Sequence, residues 1–170
     1  MKKEDIILVS VSNLNINLCA ITTKKGGIMS VLPEDVKKGV KEKLEKSLKN
    51  PVKLIFFTQE FECQFCQQTY QLLEEIVSLS DKISLNVFNF AGDKKEVKKY
   101  KIDKIPAIVV MNEKDYGIRL FGLPTGYEFT SLIEAIIMVS SGETGLTEKS
   151  IGRIKTLSKP VHIQVFVTNT

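Results

Sequence analysis

Two cysteines three positions apart, Cys63 and Cys66, are the residues of this sequence best suited to chemistry. A Cys-x-x-Cys pair can close a small disulfide with little backbone movement. If Cys63 stands just before a helix and Cys66 in its first turn, the unpaired N–H groups and the positive dipole end of that helix favour a thiolate at Cys63. Because the thiolate is the form that attacks disulfides, the pair predicts redox cycling, with Cys63 as the attacking sulfur and Cys66 as the resolving one.

The elements around this pair can be read from hydrophobic periodicity. Residues 33–49 have the opening and spacing of a helix, and residues 52–57 form a short apolar run typical of a buried strand. After the cysteines, a helix is expected to bury Cys66, Tyr70, Leu73 and Val77 on one face. The remaining predicted elements are a strand at 83–90, a helix at 93–100, strands at 106–111 and 116–121, and a helix at 127–139.

This order of elements predicts an α/β fold. A crossover helix makes the first two strands parallel, whereas the four-residue turn at 112–115 makes the last pair antiparallel. We therefore expect a mixed four-stranded sheet that is flanked by helices on both faces.

Pro106 is the second candidate site residue, because it begins a strand that lies against the dithiol in such a sheet. A cis peptide bond before Pro106 would leave the Ile105 backbone free to pair with an extended substrate segment. We expect the substrate to contact Ile105 and Pro106, together with Gln64 and Phe65 between the two cysteines.

The composition excludes several other classes. The chain has 170 residues, 43% hydrophobic and 26% charged, which is typical of a globular protein with one proper core. Its net charge of +4 comes mostly from lysines mixed with acidic residues, so we expect solvated helix faces and no nucleic-acid partner. No apolar run reaches the ~18 residues that span a membrane, and the lysine and glutamate enrichment is typical of hyperthermophiles.

Both ends of the chain differ from its middle. Residues 1–27 are predicted to be an atypical extension, and polar residues such as Ser10 and Asn13 interrupt what would otherwise be a signal peptide. The run at 160–166 repeats in kind the run at 51–57, and a helix-like segment precedes each. We therefore interpret 28–142 as one domain and 143–170 as the linker helix and first strand of a second, truncated unit. The alternative is an ordinary helix followed by an edge strand.

Three stretches carry a resemblance to a known family: Phe61–Cys66, Ile105–Ala107 and Phe121–Phe129. They resemble the protein disulfide oxidoreductases of hyperthermophilic archaea and bacteria, also described as glutaredoxin-like proteins, over roughly residues 28 to 170. The resemblance implies two tandem thioredoxin-like units, each with a Cys-x-x-Cys and a cis-proline. It also implies formation and isomerisation of cytosolic protein disulfides, sometimes with a thioredoxin reductase as partner.

The chain departs from that pattern at two places that concern the chemistry. The second Cys-x-x-Cys is absent, so activities that need both units, isomerisation above all, do not follow from the resemblance. Phe57 stands six residues before Cys63, where thioredoxins carry a buried acid, so Cys66 would have to exchange its proton with another base or with water.

Other interpretations of the cysteines remain. Zinc needs four ligands, and the only further Cys or His residues are Cys19 and His162, so we expect no metal and no cofactor besides the Cys63–Cys66 disulfide. A glutathione-dependent glutaredoxin-like reductase is one alternative. A non-catalytic thioredoxin-like module, binding proteins through the Pro106 face, is the other. We expect a cytoplasmic protein in each case.

Overall fold

The computed structural model describes residues 30–167, which form five helices and four strands. The helices are α1 (Glu34–Ser47), α2 (Cys66–Ser78), α3 (Lys94–Lys99), α4 (Tyr127–Ser141) and α5 (Glu148–Lys155). The strands are β1 (Val52–Thr58), β2 (Ile83–Asn89), β3 (Ala107–Met111) and β4 (Ile118–Phe121). The predicted extension at 1–27, including Cys19, lies outside the described residues.

The four strands form one mixed sheet in the order β2-β1-β3-β4. β1 runs parallel to β2, and the pairs β1–β3 and β3–β4 are antiparallel. The predicted fold class and strand directions are thereby confirmed. β1 is an inner strand with both faces covered, which explains why its sequence is apolar without polar alternation.

Successive side chains of β1 point to opposite faces of the sheet, and each face has its own core. Leu54 and Phe56 enter the larger core, which they share with α1, α2 and α4. Ile55 and Phe57 enter the smaller core, which includes Tyr100 just after α3. Three helices therefore cover one face and α3 covers the other.

Two polar contacts fix the helices relative to the sheet. The Glu75 carboxylate on α2 accepts hydrogen bonds from the N–H groups of Val31 (2.6 Å) and Leu32 (3.0 Å), which holds the segment that leads into α1. At the end of α4, the buried Ser140 Oγ accepts from the Asn50 N–H (2.9 Å), just before β1 begins. α4 therefore ends where β1 starts.

The prediction for the buried face of α2 was partly wrong. Cys66 and Leu73 are buried as expected, but Tyr70 and Val77 are only partly covered, and Thr69 is fully buried instead. The Thr69 hydroxyl donates to the Phe65 carbonyl (2.7 Å), so burying it leaves no polar atom without a partner.

The strand predicted at 160–166 is not formed, so this prediction was wrong. Residues 157–167 have no regular secondary structure and their side chains are exposed, including Val165 and Phe166. A strand needs a neighbour to satisfy its backbone hydrogen bonds, and no described strand lies beside this segment. The helix predicted before it is present as α5, and the division into 28–142 and a truncated second unit stays a prediction.

Candidate active site

The two cysteines lie where β1 gives way to α2. Their sulfur atoms are bonded to each other (S–S 1.95 Å), and their Cα atoms are 5.5 Å apart. α2 begins at Cys66, so Cys63 stands just before the helix and Cys66 is its first residue, as the sequence predicted. The Cys66 N–H points back to the Cys63 carbonyl at 3.4 Å. The structure thus holds the dithiol in its oxidised state at a helix start.

The two sulfurs differ in their access to solvent. Cys66 is only 3% exposed, whereas Cys63 is partly exposed. A partner molecule can therefore reach Cys63 far more readily than Cys66. The predicted roles of attacking and resolving sulfur require a difference of this kind, and they stay a prediction.

The loop that carries Cys63 is acidic and turns sharply. Glu62, directly before Cys63, has a φ of 60°, in the left-handed region that costs a non-glycine residue about 1–2 kcal/mol. Glu60 and Glu62 are exposed, and neither forms an ion pair with any residue between 30 and 167. The loop therefore presents two carboxylates beside the dithiol.

Pro106 lies at the same end of the sheet as the dithiol. Phe57 pairs with Ala107 across β1 and β3, so the residue before β3 is next to the end of β1, from which the dithiol loop departs. The Ile105–Pro106 peptide bond is cis, as the family resemblance implied. Pro106 is buried, and its carbonyl accepts a hydrogen bond from the Gly122 N–H (2.9 Å).

The Ile105 main chain is available for pairing. No hydrogen bond engages its N–H or C=O within the described part of the chain. Peptide groups of this kind can receive one more extended segment.

An ion pair supports the chain that leads to Ile105. Arg119 on β4 donates to both carboxylate oxygens of Asp115 (2.9 and 2.7 Å), and its Nε donates to the Tyr100 carbonyl (3.1 Å) at the end of α3. Burial acts to raise the pKa of Asp115, but hydrogen bonds from Arg119 and from the Gly117 N–H outweigh it and lower that pKa below its ordinary value. Asp115 is therefore ionised at neutral pH, and α3 is tied to β4.

Phe57, six residues before Cys63, lies in a cluster of aromatic side chains. Phe57 is fully buried, with its ring 5.6 Å from that of Phe88 and 5.8 Å from that of Tyr100. No carboxylate lies at this position. The proton of Cys66 must therefore be exchanged with another group or with water.

Gln64 and Phe65 are the other two residues that the sequence analysis expects to contact the substrate. Gln64 and Phe65 lie between the cysteines and are exposed.

His162 is exposed in the C-terminal segment, and no cluster of potential metal ligands occurs among residues 30–167.

Three aromatic residues, Phe61, Phe121 and Tyr127, lie in the stretches that carry the family resemblance but were not predicted to be site residues. All three are exposed, although large apolar side chains are normally buried. Only their exposure distinguishes them, and exposure cannot be read from residue type.

Comparison with known proteins gives the same fold. A protein disulfide oxidoreductase from Aeropyrum pernix superposes with a TM-score of 0.66 at 26% identity, covering 74% of this chain and 55% of that one. The alkylhydroperoxide reductase protein AhpF of Enterococcus faecalis superposes with a TM-score of 0.67 at 25% identity, covering 75% of this chain and 62% of that one. The resemblance noted in the sequence and the thioredoxin-like fold are thereby confirmed.

Curated sequences match the chain over a shorter stretch than the solved structures do. An NADH dehydrogenase of Bacillus subtilis is 30% identical over 100 residues, which is 58% of this chain. The matched stretch amounts to only 17% of that relative, so the chain corresponds to a small part of it. No family model matches the sequence.

No described helix has both the length and the apolar character needed to cross a membrane.

Proposed function

We propose that this thioredoxin-fold chain is a thiol-disulfide oxidoreductase that exchanges disulfides with other proteins through Cys63 and Cys66. The observation that carries the proposal is the Cys63–Cys66 disulfide at the start of α2, with one sulfur accessible and the other buried. The similarity to a protein disulfide oxidoreductase supports it.

Reduction of a substrate starts from the dithiol form. The Cys63 thiolate attacks one sulfur of a protein disulfide, which breaks that bond and releases the other sulfur as a thiolate. Cys66 then loses its proton and attacks Cys63, closing the Cys63–Cys66 disulfide and releasing the second substrate thiol. Two electrons pass to the substrate, and its two sulfurs take up two protons.

Oxidation runs through the same steps in reverse and starts from the disulfide form. A substrate thiolate attacks the partly exposed Cys63 sulfur and displaces Cys66 as a thiolate. The second substrate thiolate then attacks the substrate sulfur that is bonded to Cys63, which closes the substrate disulfide and releases Cys63 as a thiolate. The direction depends on the potentials of the substrate and of the electron donor.

Ile105 and Pro106 would position the substrate in both directions. The unpaired Ile105 main chain would receive the residues next to the substrate cysteine as an added strand. Gln64 and Phe65 would contact the same segment from the dithiol loop. Since no carboxylate stands at the Phe57 position, water is the proposed acceptor of the Cys66 proton.

The proposed substrates follow from this chemistry, and the proposed location and electron donor follow from the family resemblance. We propose a cytoplasmic protein with no cofactor beyond its disulfide, whose substrates are protein disulfides or dithiols. A thioredoxin reductase is the proposed source of electrons when the chain acts as a reductant.

A second candidate is a dithiol carrier that serves a peroxide-reducing system. The observation that favours it is the similarity to the alkylhydroperoxide reductase protein AhpF. In that role, Cys63 would reduce the disulfide of one dedicated partner instead of many substrates. The chemistry at Cys63 and Cys66 would be unchanged.

Trapping of mixed disulfides tests the proposal. In Cys66→Ser the intermediate cannot resolve, so substrates should accumulate as disulfides on Cys63 and be identifiable by mass spectrometry. The matched control is the Cys63→Ser, Cys66→Ser double variant, which should capture nothing. Many partners would support a general oxidoreductase and one dominant partner would support the dedicated carrier, whereas capture no higher than that of the control would contradict both.

Two assays separate the alternatives raised by the sequence, one based on the electron source and one on insulin reduction. A glutathione-dependent enzyme should accumulate a glutathione mixed disulfide on Cys63 and work with glutathione alone. If the chain is a non-catalytic module, dithiothreitol should reduce insulin no faster in its presence than in the presence of Cys63→Ser.

A further inference from the structure

Exposed aromatic side chains are concentrated at the dithiol end of the molecule. Between residues 30 and 156, the exposed large apolar side chains are Phe61, Phe65, Val87, Phe121 and Tyr127. All of them except Val87 are aromatic and belong to the dithiol loop or to the segment from the last residue of β4 to the first of α4. We call Phe61, Phe65, Phe121 and Tyr127 the aromatic rim.

Main-chain pairing places Phe121 beside the cis-proline. Phe121 lies opposite Ala107 across β3 and β4, and the following residue, Gly122, donates to the Pro106 carbonyl at 2.9 Å. Lys104 approaches the Phe121 ring to 4.9 Å from its centroid, in the range of a cation–π contact. Phe121 therefore flanks Ile105 and Pro106.

The direction of α4 places Tyr127 at the same end. Ser140, near the last residue of α4, is hydrogen bonded to Asn50, just before β1 begins. A 15-residue helix and a 7-residue strand are both about 22–23 Å long. Because α4 ends beside the start of β1 and begins six residues after Phe121, its first residue, Tyr127, lies toward the end of β1 that leads to Cys63.

The charge around the rim is unbalanced. Glu60 and Glu62 are exposed and have no ion-pair partner in the part of the chain that the structure describes. The lysine nearest the cis-proline in sequence, Lys104, is already paired with Asp103 at 3.2 Å. A segment that docks beside Cys63 thus meets aromatic rings and two uncompensated carboxylates.

We propose that the aromatic rim docks apolar protein segments that carry basic residues next to the reacting cysteine, and that it disfavours anionic disulfides such as glutathione disulfide. The inference rests on the proposed function and narrows its substrate class. Aromatic rings stabilise a docked apolar segment by burying area, and the carboxylates favour cations through an interaction that salt screens.

Peptide disulfides of different charge test the proposal. The pre-reduced chain is mixed with three homodimeric peptide disulfides, and the single-turnover rate of reduction of each is measured. The lysine peptide has the sequence Ala-Leu-Lys-Cys-Lys-Leu-Ala. The glutamate peptide has Glu in place of Lys, and the serine version of the lysine peptide has Ser in place of Leu. The lysine peptide should react about tenfold faster than the glutamate peptide at low ionic strength, and less than about twofold faster in ~1 M salt. Glutathione disulfide should react no faster than the glutamate peptide.

Variants separate docking from chemistry, with hydroxyethyl disulfide as a small neutral reference substrate. Replacing both carboxylates, Glu60→Gln with Glu62→Gln, should abolish the preference for the lysine peptide over the glutamate peptide. Phe61→Ser and Tyr127→Ser should each lower the rate of reduction of the leucine-containing lysine peptide about fivefold. Both variants should change the rates for the serine version of that peptide and for hydroxyethyl disulfide little. Val87→Thr, which alters an exposed apolar residue outside the rim, should leave all of these rates unchanged.

Three results would overturn the inference: a charge preference that survives in the double glutamine variant, equal slowing of all substrates by Phe61→Ser, or a dimer of this chain that Phe61→Ser dissociates. The last would assign the rim to a second copy of the chain. If no disulfide is reduced at all, hydroxyethyl disulfide included, it is the proposed function that fails.

Discussion

Ala107 lies opposite Phe57 across the antiparallel pair of β1 and β3, and this pairing brings the two halves of the site together. Phe57 is one residue from the end of β1, and the dithiol loop starts there. Ala107 directly follows the cis-proline. Two segments more than forty residues apart in sequence therefore meet through one residue pair of the sheet.

The different exposure of the two sulfurs predicts different rates of alkylation. In the reduced protein, Cys63 should react with iodoacetamide at least about tenfold faster than Cys66, because Cys66 is buried at the start of α2. Peptide mapping by mass spectrometry at successive times measures both rates. In Cys63→Ser, Cys66 should stay slow, and equal rates for the two cysteines of the natural sequence would refute the assignment of roles.

The Glu75 carboxylate should contribute to stability far more than its place on a helix surface suggests. Glu75→Ala leaves the Val31 and Leu32 N–H groups without their acceptor, so the free energy of unfolding should fall by about 1–3 kcal/mol. Denaturation in urea measures the change. Glu42→Ala on the exposed side of α1 is the control and should change stability by less than about 0.5 kcal/mol; a similar loss in both would show that the Glu75 contacts contribute nothing specific.

The Asp115–Arg119 pair predicts a pH-dependent contribution to stability. Because the pKa of Asp115 is lowered in the folded state, its ionised form stabilises the protein above the ordinary aspartate pKa, and that stabilisation is lost as the pH falls through the lowered pKa. Asp115→Asn should therefore destabilise by about 0.5–1 kcal/mol at about pH 7, and by progressively less toward about pH 3.

Thermal unfolding at a series of pH values measures this difference. The control is Asp103→Asn, which removes an exposed ion pair with Lys104 and should have little effect at any pH. A penalty for Asp115→Asn that is constant with pH would contradict the expectation.

The C-terminal segment should be cut by proteases before the rest of the described chain. Leu157 and Phe166 are exposed and lie in a segment without regular secondary structure, so chymotrypsin should reach them early. Mass spectrometry of a brief digest gives the order of cleavage. Protection of Leu157 and Phe166 would show that something covers this segment in solution, as the prediction of a second unit implies.

Much of the site could be predicted because it depends on local signals. The apolar run of β1, the cysteine spacing and Pro106 each specify a short piece of backbone, and the sheet topology then brings them together. Cys66 could be assigned to the start of α2 for the same reason. None of these inferences needed knowledge of a distant contact.

The missed features depend on contacts that hydrophobic periodicity does not report. Thr69 can be buried because the Phe65 carbonyl accepts a hydrogen bond from its hydroxyl, whereas the periodicity of apolar residues pointed to Tyr70. Glu75 reads as a surface residue of α2, since its partners lie more than forty positions away. The segment at 160–166 has the composition of a strand but lacks a neighbour, and composition does not report neighbours.

The bond between Ser140 and Asn50 has a consequence at the opposite end of the molecule. One continuous helix carries Ser140 near one end and Tyr127 at the other. The hydrogen bonds of Ser140 therefore fix the end of α4 from which the position of Tyr127 is counted. The number of turns in α4 therefore sets the distance of Tyr127 from the anchored end of the helix. A change of one turn in that helix would move the aromatic side chain by about 5.4 Å without altering any residue of the site itself.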